Sequence, residues 1–275
     1  EELELYTQKS GEEIVGQLYN FSDKGDRKVS LRPEMTPTLA RMAASHTRNY
    51  KKPIKWFSIP QLFRYERQQK GRLREHFQLN ADIIGEEHLS ADAELISLLI
   101  DTLRNLKLTK EDFFVRLSSR QAWQDFFEKN GGEQNEAYKF YQVIDKLERE
   151  DPKVSNDKLT KMGFSYDQIN EFILKGQPTE ELSAIIENIE ARGLGDFIKI
   201  DYRIIRGLAY YTGPVYEAFD KHGKFRAIAG GGRYDHLVNL VSGGKTNLPA
   251  LGFGMGDVVL TELLKERNLI PQLSQ

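Results

Sequence analysis

Residues 62–85 read LFRYERQQKGRLREHFQLNADIIG, and the fold turns on them. Both halves alternate with period two, which predicts two strands of a half-buried antiparallel hairpin joined by a cationic loop. In the second half His76, Gln78, Asn80 and Asp82 share one face, with Phe77, Leu79, Ala81 and Ile83 on the other. In the first half Arg64 and Glu66 share a face while Phe63 and Tyr65 point away. Arg67, Lys70, Arg72 and Arg74 crowd the loop against a single acid, Glu75. A solvent-facing hairpin is the ordinary meaning of such alternation. Asn80 and Asp82 argue against it, because Asn and Asp are poor strand formers and mark a constrained polar surface.

Composition narrows what this surface can do. The 275 residues are 39% hydrophobic and 29% charged with net charge −2, enough chain for one large or two modest domains. With so little net charge any contact to nucleic acid must be local, and the cluster at 64–74 is the place for it. The chain has no cysteine, which excludes disulfides and thiolate metal sites, and its five histidines lack ligand spacing, so no metal site is expected. No apolar run reaches membrane-spanning length, and the acidic start EELELYTQKS is unlike a signal peptide. The chain begins without Met, and its first residues read as the middle of a domain.

Outward from the hairpin, a strand is expected at 28–31, then LRPEMTPTLARM, where Pro33 and Pro37 keep the backbone extended before a helix at 38–44. Glu34, between those prolines, is either a loop acid or a rigidly aimed ligand, the loop acid being the simpler reading. A strand at 55–59 leads into the hairpin, and Ser90 is placed to cap a helix running to 106. A strand at 113–118 and a helix at 121–129 follow. Residues 131–193 are rich in Glu and Lys with helical periodicity and read as a helical insertion. Strands return at 197–206, 215–219 and 225–229, and a helix at 257–267 closes the chain. The division is 1–130 and 194–275 as two parts of a β-rich core, with 131–193 inserted between them.

Three apparent motifs fail. Gly244-Lys245-Thr246 lacks the upstream glycine of a phosphate loop, Asn239 standing there. Asn20-Phe21-Ser22 fits a glycosylation triplet in a chain without a secretion signal. Gly252, Gly254 and Gly256 are not a dinucleotide fingerprint. Glycines two apart do bare one strand face, either for a flat ligand or for a tight sheet–helix contact. Two further passages carry chemistry. RGLAYYTG (206–213) sets an arginine before a glycine turn and two tyrosines, one of which could wall a pocket. AGGGRYD (229–235) follows three glycines with Arg233 and Asp235.

Taken in order, RPEMTP, FRYERQQKGRLREHFQ, RGLAYYTG, GGGRYD and LGFGMG resemble histidyl-tRNA synthetases, class II aminoacyl-tRNA synthetases, over nearly the whole chain outside the insertion. The resemblance implies an α+β fold, an antiparallel sheet flanked by helices that binds ATP and L-histidine. It implies ATP-dependent formation of histidyl-adenylate and transfer to tRNA(His), with Mg²⁺ accompanying ATP, in a cytoplasmic homodimer. By the same resemblance Arg64 and Arg206 are the catalytic cations at the α-phosphate. Arg64, Glu66, His76, Phe77 and Arg233 serve ATP, with either ring stacking on adenine and Arg233 or another cation replacing an arginine the family usually carries near Val259. Glu34, Thr36 and Gln78 hold the α-amino group of histidine, and Asp82 faces its imidazole together with the tyrosines, Tyr211 foremost and Tyr210 beside it. Arg67, Gln69, Lys70, Arg72 and Arg74 meet the tRNA acceptor end. Ala209 stands where the signature commonly has Asp. A dimer-forming segment is expected before Glu1 and an anticodon-binding domain after Gln275. The competing resemblance is to a non-catalytic histidine sensor, the regulatory subunit of ATP phosphoribosyltransferase. Loss of the arginine at Val259 favours it, and Arg64, Arg206 and the basic loop favour the enzyme.

Overall fold

Period two at residues 75–84 builds a ten-residue strand, and an eight-stranded sheet assembles around it. The computed structural model describes residues 1–7, 12–66, 71 and 73–270. The chain opens with two single-turn helices, α1 (Glu4–Thr7) and α2 (Glu12–Val15), and a small hairpin of β1 (Asn20–Ser22) and β2 (Lys28–Ser30). Helix α3 (Thr36–Ser45) carries Pro37 in its first turn, where a missing N–H leaves no helical bond unmade. Then come β3 (Ile54–Ser58), β4 (Gln61–Phe63), β5 (Glu75–Ile84), α4 (Ser90–Asn105), β6 (Phe113–Ser119) and α5 (Arg120–Lys129). Four helices follow, α6 (Ala137–Lys146), α7 (Pro152–Lys161), α8 (Tyr166–Lys175) and α9 (Glu180–Ala191). The chain returns as β7 (Ile198–Ile200), β8 (Pro214–Asp220), β9 (Ala229–Arg233), α10 (Leu237–Val241), β10 (Ala250–Gly256) and α11 (Asp257–Glu266).

The sheet order is β3-β5-β10-β9-β8-β6-β7, with β4 pairing β5 off this path. Its pairings are antiparallel apart from β6–β7, which is parallel. Parallel neighbours need a long crossover, and α5 to α9 supply it. Four of these helices start on side-chain caps, Ser119, Asp151, Ser165 and Thr179, each accepting from a backbone N–H within the first turn. Trp123 of α5 meets Phe172 of α8 with ring centroids 4.7 Å apart, and Phe127 meets Phe140 of α6 at 5.0 Å. These helices therefore share one continuous core with the sheet, α4 and α11.

Register sorts the sheet residues into two faces. One carries the cross-strand row Ser118, Val215, Gly232, Gly252, Asp82 and Trp56, and beside it Arg116, Glu217, Gly230, Gly254, Asn80 and Ser58. A second, smaller core closes one end of this face, where Leu39 and Ala43 of α3 and Leu237 and Val238 of α10 pack over Ile54, Ile84 and Ala250. The other face carries Leu117, Tyr216, Gly231, Phe253, Ala81 and Phe57, most of them beneath the larger core.

Several expectations need correction. The first strand of the hairpin ends at Phe63 and does not reach Glu66. Arg64 N–H still donates to the Arg74 carbonyl at 2.9 Å, but Tyr65 N–H turns to Gln17 O at 2.8 Å and breaks the ladder. The expected strand 197–206 shrinks to Ile198–Ile200, because the chain turns at once at Asp201, whose carbonyl takes the Ile204 N–H and whose carboxylate takes the Arg203 N–H, and further on Arg206 is left-handed (φ 61°). The expected strand 225–229 is displaced to Ala229–Arg233. Asp220 takes the His222 and Lys224 N–H groups onto its carboxylate, and the turn is correspondingly wide. Ser90 is the first residue of α4 and gives it no side-chain cap; its hydroxyl bonds the ring of His88 instead.

Arg233 also departs from expectation. As the register partner of Leu251 it lies on the helix-covered face, away from Asp82 and Arg206. Its guanidinium is 5% exposed and grips Asp92 of α4, which is fully buried, and donates to Glu86 O at 3.0 Å. With its donors committed there it is not placed to meet ATP. Removing one partner of a buried pair strands the other charge. Arg233→Met is expected to cost about 3–5 kcal/mol and Arg233→Met/Asp92→Leu distinctly less than the sum of the singles, as read from urea denaturation of all four proteins.

Candidate active site

Glycine defines the floor of the site. Gly230 and Gly232 of β9 and Gly252, Gly254 and Gly256 of β10 project toward one face, so two central strands present bare backbone there. Neighbouring side chains fold over it. A Cβ on Gly252 would overlap the Asp82 carboxylate, one on Gly254 would stand 2.8 Å from Gln78 Oε1, and one on Gly230 would overlap the Arg206 guanidinium. The bared glycines of β10 thus meet polar side chains, not a helix.

Four groupings ring this floor. Arg206 projects from its left-handed turn and pairs with Glu217 of β8 at 2.5 Å, its guanidinium 5.6 Å from the centre of the Tyr211 ring. Burial works against that charge, but Tyr211 and Glu217 more than offset it and raise the pKa well above the ordinary arginine value. Arg206 Nε is buried with no hydrogen-bond partner among the described residues. Opposite, Glu34 is 4% exposed and accepts from Tyr210 Oη at 2.7 Å through Oε2, while its Oε1 has no partner among the described residues. A buried guanidinium N–H and a buried carboxylate oxygen, both unmatched, suit an anionic and a cationic group of a ligand. Thr36 at the start of α3 bonds Tyr210 and completes this corner.

The third grouping is Asp82 with Tyr234. Tyr234, 2% exposed, donates to Asp82 Oδ1 at 2.6 Å. The hydrogen bond to Asp82 comes from Tyr234 and not from Tyr211, whose hydroxyl turns toward Arg206. Burial pushes the Asp82 carboxyl up to about 7, with the Tyr234 bond opposing it. The fourth lies at the other end of β5. Arg64 donates through Nε to Pro33 O at 2.8 Å, anchoring it to the RPEMTP segment. His76, held below the ordinary histidine value by burial and by Arg64, approaches Gly256 on the glycine face. Strand parity sends Phe77 to the opposite face, where it is 46% exposed and its N–H meets Asp257. Of the two rings expected near ATP, only His76 is brought to the site.

Gln78 and the half-buried Glu66 flank the same end. Arg74 packs at the root of the basic loop, its guanidinium 4.3 Å over the Tyr65 ring and its Nε on Glu66 O. Arg67, Gln69, Lys70 and Arg72 lie outside the described residues. Ala209 is exposed, so the missing Asp of the signature leaves no buried gap. Val259 lies near the loop, its Cγ2 3.7 Å from where a Gly71 side chain would begin. Sequence reasoning missed Glu217 and Tyr234. The Tyr beside Arg233 in GGGRYD was the available signal, since reading that passage as a strand running into a turn places it beside Asp82.

Asp82 holds a proton in the folded state at pH values where the unfolded chain has lost it, so stability falls as pH rises from about 4 through about 7. In Asp82→Asn that segment of the profile is expected to flatten, and urea midpoints collected from pH 4 to 8 on both proteins check it. The glycines separate by face. A Cβ on Gly231 would run into the backbone of β10, whereas one on Gly230 meets chiefly the movable end of Arg206. Gly231→Ala should cost about 1–3 kcal/mol or more and Gly230→Ala well under half of the Gly231→Ala loss, measured by the same denaturation.

Comparison with known proteins gives the family of the chain. A family model described as histidyl-tRNA synthetase matches residues 1–257. The histidine–tRNA ligase of Opitutus terrae is 42% identical over 100% of this chain and 68% of its own length. The chloroplastic/mitochondrial histidine–tRNA ligase of Arabidopsis thaliana is 40% identical over 98% of this chain and 59% of its own length. The chain thus spans roughly three fifths to two thirds of these relatives. The solved histidyl-tRNA synthetase of Nostoc superposes with TM-score 0.78 at 22% identity, covering 99% of this chain and 67% of that one. A Bacillus halodurans protein described as an ATP phosphoribosyltransferase regulatory subunit/histidyl-tRNA synthetase gives 0.74 at 24% identity, covering 90% and 68%. At these identities the two structures speak to fold alone. With a family model across most of its length and relatives near 40% identity throughout, the chain belongs to the histidyl-tRNA synthetase family.

Proposed function

We propose that this chain activates L-histidine with ATP and passes the histidyl group to the acceptor end of tRNA(His). The observation that carries the reading is the Arg206 guanidinium held over bare glycine backbone between Glu217 and Tyr211. A flat floor admits a nucleotide, and a fixed cation above it favours charge building up on a phosphoryl group.

In the activation step an oxygen of the histidine carboxylate attacks the α-phosphorus, the bond to the bridging oxygen breaks, and pyrophosphate leaves. Arg206 and Arg64 stabilise the added negative charge, and arginine suits this because its donors are directed and always charged. Glu34, with its unmatched Oε1, receives the α-ammonium beside Gln78 and Thr36. Asp82, oriented by Tyr234, accepts from the imidazole; an apolar isostere would leave that buried carboxylate unpaired. His76 stacks on adenine with Glu66 at its edge. In the transfer step a terminal ribose hydroxyl of tRNA attacks the activated carbonyl and AMP departs, with Arg67, Gln69, Lys70, Arg72 and Arg74 gathering the acceptor phosphates. Catalysis of this kind is mostly positioning and fixed charge.

Mg²⁺ would arrive with ATP and neutralise charge on its phosphates; among the described residues no cluster of His, Asp and Glu is preformed for a metal. Among the same residues no helix is long and apolar enough to cross a membrane. A homodimer working in the cytoplasm is part of the proposal. The sensor reading is less favoured, because relatives near 40% identity over the whole chain carry the name histidine–tRNA ligase.

Histidine-dependent ATP–pyrophosphate exchange tests the proposal. The parent is expected to exchange with histidine alone among the amino acids, and Arg206→Ala to lose on the order of 10²–10³-fold in kcat. Histidine binding by calorimetry without any exchange would return the protein to the sensor reading.

A further inference from the structure

Arg120 is a charge in an unfavourable place. It is 6% exposed and is the first residue of α5, where a cation opposes the helix dipole. No carboxylate lies within ion-pair distance of it among the described residues, and burial pulls its guanidinium down to about 10. A site that needed only volume would hold an apolar residue there, and one that needed only a charge would supply an acid.

What Arg120 touches gives the reason. Its Nη1 donates to Arg206 O at 2.9 Å and to Ile205 O at 3.2 Å, at the entry to the 206–213 loop. Its backbone N–H donates to Gly213 O at 3.0 Å, at the exit of the same loop. One residue therefore holds both ends of the segment that carries Arg206, Tyr210 and Tyr211. Arg206 itself has φ 61°, a left-handed conformation that is unfavourable for a non-glycine residue. Bonds to the carbonyls on either side of its Cα hold that conformation and so set where its side chain leaves the backbone. The guanidinium of Arg120 is in turn covered by the Tyr141 ring of α6 at 3.9 Å, and the Tyr141 hydroxyl is fixed by Gln124. From the other side Glu181 of α9 lies 3.6 Å from where a Gly213 side chain would begin and bonds Ser119.

We propose that Arg120 is a positioning residue: it fixes the left-handed turn at Arg206, aims that guanidinium over the glycine floor, and through Tyr141 makes the aim depend on the helices between β6 and β7. The catalytic consequence rests on the functional reading above, whereas the geometric claim stands apart from it. Arg120 touches no substrate. Its effect passes through Arg206.

The test uses the full protein with Arg120→Met and Arg120→Lys, alone and combined with Arg206→Ala. Arg120→Met is expected to lower kcat for histidine-dependent pyrophosphate exchange on the order of 10²-fold, the scale of an ångström misplacement. The KM for histidine, set by Glu34, Gln78 and Asp82, should move by less than about threefold. Arg120→Lys keeps a buried cation but loses the planar fork, and should fall between parent and Met. In the Arg206→Ala background either change should cost less than about twofold further, since residues acting as a unit are not additive. An equal loss in both backgrounds, or a lowered melting temperature with kcat unchanged, overturns the proposal. Should Arg120→Met not fold, Arg120→Lys carries the same comparison. If the parent itself shows no exchange, the functional reading fails and crystal structures decide the rest. Retention in Arg120→Lys of the left-handed Arg206 and its Glu217 pair would refute the positioning role, and their loss would support it.

Discussion

Everything on the functional face depends on two adjacent strands that, past Ala250, present only glycine there. Gly230, Gly232, Gly252 and Gly254 sit in the middle of the sheet, where glycine is entropically costly and packs nothing. Chain on both sides compensates. β9 and β10 are interior strands with neighbours on each edge, and their other face is buried against α4 and the larger core through Leu251, Phe253 and Met255. The absence of Cβ atoms then becomes structural. Asp82 and Gln78 lean inward from β5, and Arg206 inward from beyond β9, each occupying volume that an alanine would claim. A one-residue slip of β10 would replace glycine by Leu251 and Phe253 and close the floor.

Two neighbouring strands, β8 and β9, carry arginine ion pairs on opposite sides of the sheet, and burial decides what each can do. Arg233 and Asp92 are sealed between β9 and α4, and the acid falls in the first turn of its helix, where the dipole also favours it. Such a pair fixes the register of helix on sheet and has no capacity left for a ligand. Arg206 and Glu217 are 23% and 17% exposed and bonded through one guanidinium nitrogen at 2.5 Å, with Nε unmatched. That incompleteness is what an anion can exploit. Glu34 mirrors it with one oxygen bonded and one unmatched.

Period two made the polar face of β5 legible, so His76, Gln78, Asn80 and Asp82 were placed from sequence, and the α+β class with its antiparallel sheet followed. The passages at 206–213 and 229–235 resisted for different reasons. AGGGRYD looks like flexible backbone to any propensity argument, yet it is a central strand. Once it is a strand, parity alone separates Gly230 and Gly232 from Arg233, and the expectation of Arg233 at ATP dissolves. The partnership of Asp82 with Tyr234 needs the turn after β9 in three dimensions, since the two residues are 152 apart in sequence. FIKIDYRII reads as one apolar strand because nothing local announces a left-handed arginine; that conformation is imposed by Arg120 from a distant helix. Arg64–Glu66 failed similarly, the strand being cut short by a hydrogen bond to Gln17.

Placement of the helical segment follows from the sheet's one parallel pairing. An antiparallel neighbour could reach β6 through a short turn, but β7 runs parallel to β6 and requires the chain to travel back outside the sheet. Helices must fill that return, and they begin at β6's end, beside the exit of the 206–213 loop. Glu181 of α9 lies beside Gly213 at the exit of that loop, and Tyr141 of α6 covers Arg120, which bonds its entry. The glycine floor, on β9 and β10, lies two and three strands in from β6, with β8 between them. A shift in the packing of these helices reaches Arg206 through the buried Arg120 guanidinium and its bonds to the 205 and 206 carbonyls. Binding geometry and charge placement are in this way assigned to different parts of the chain.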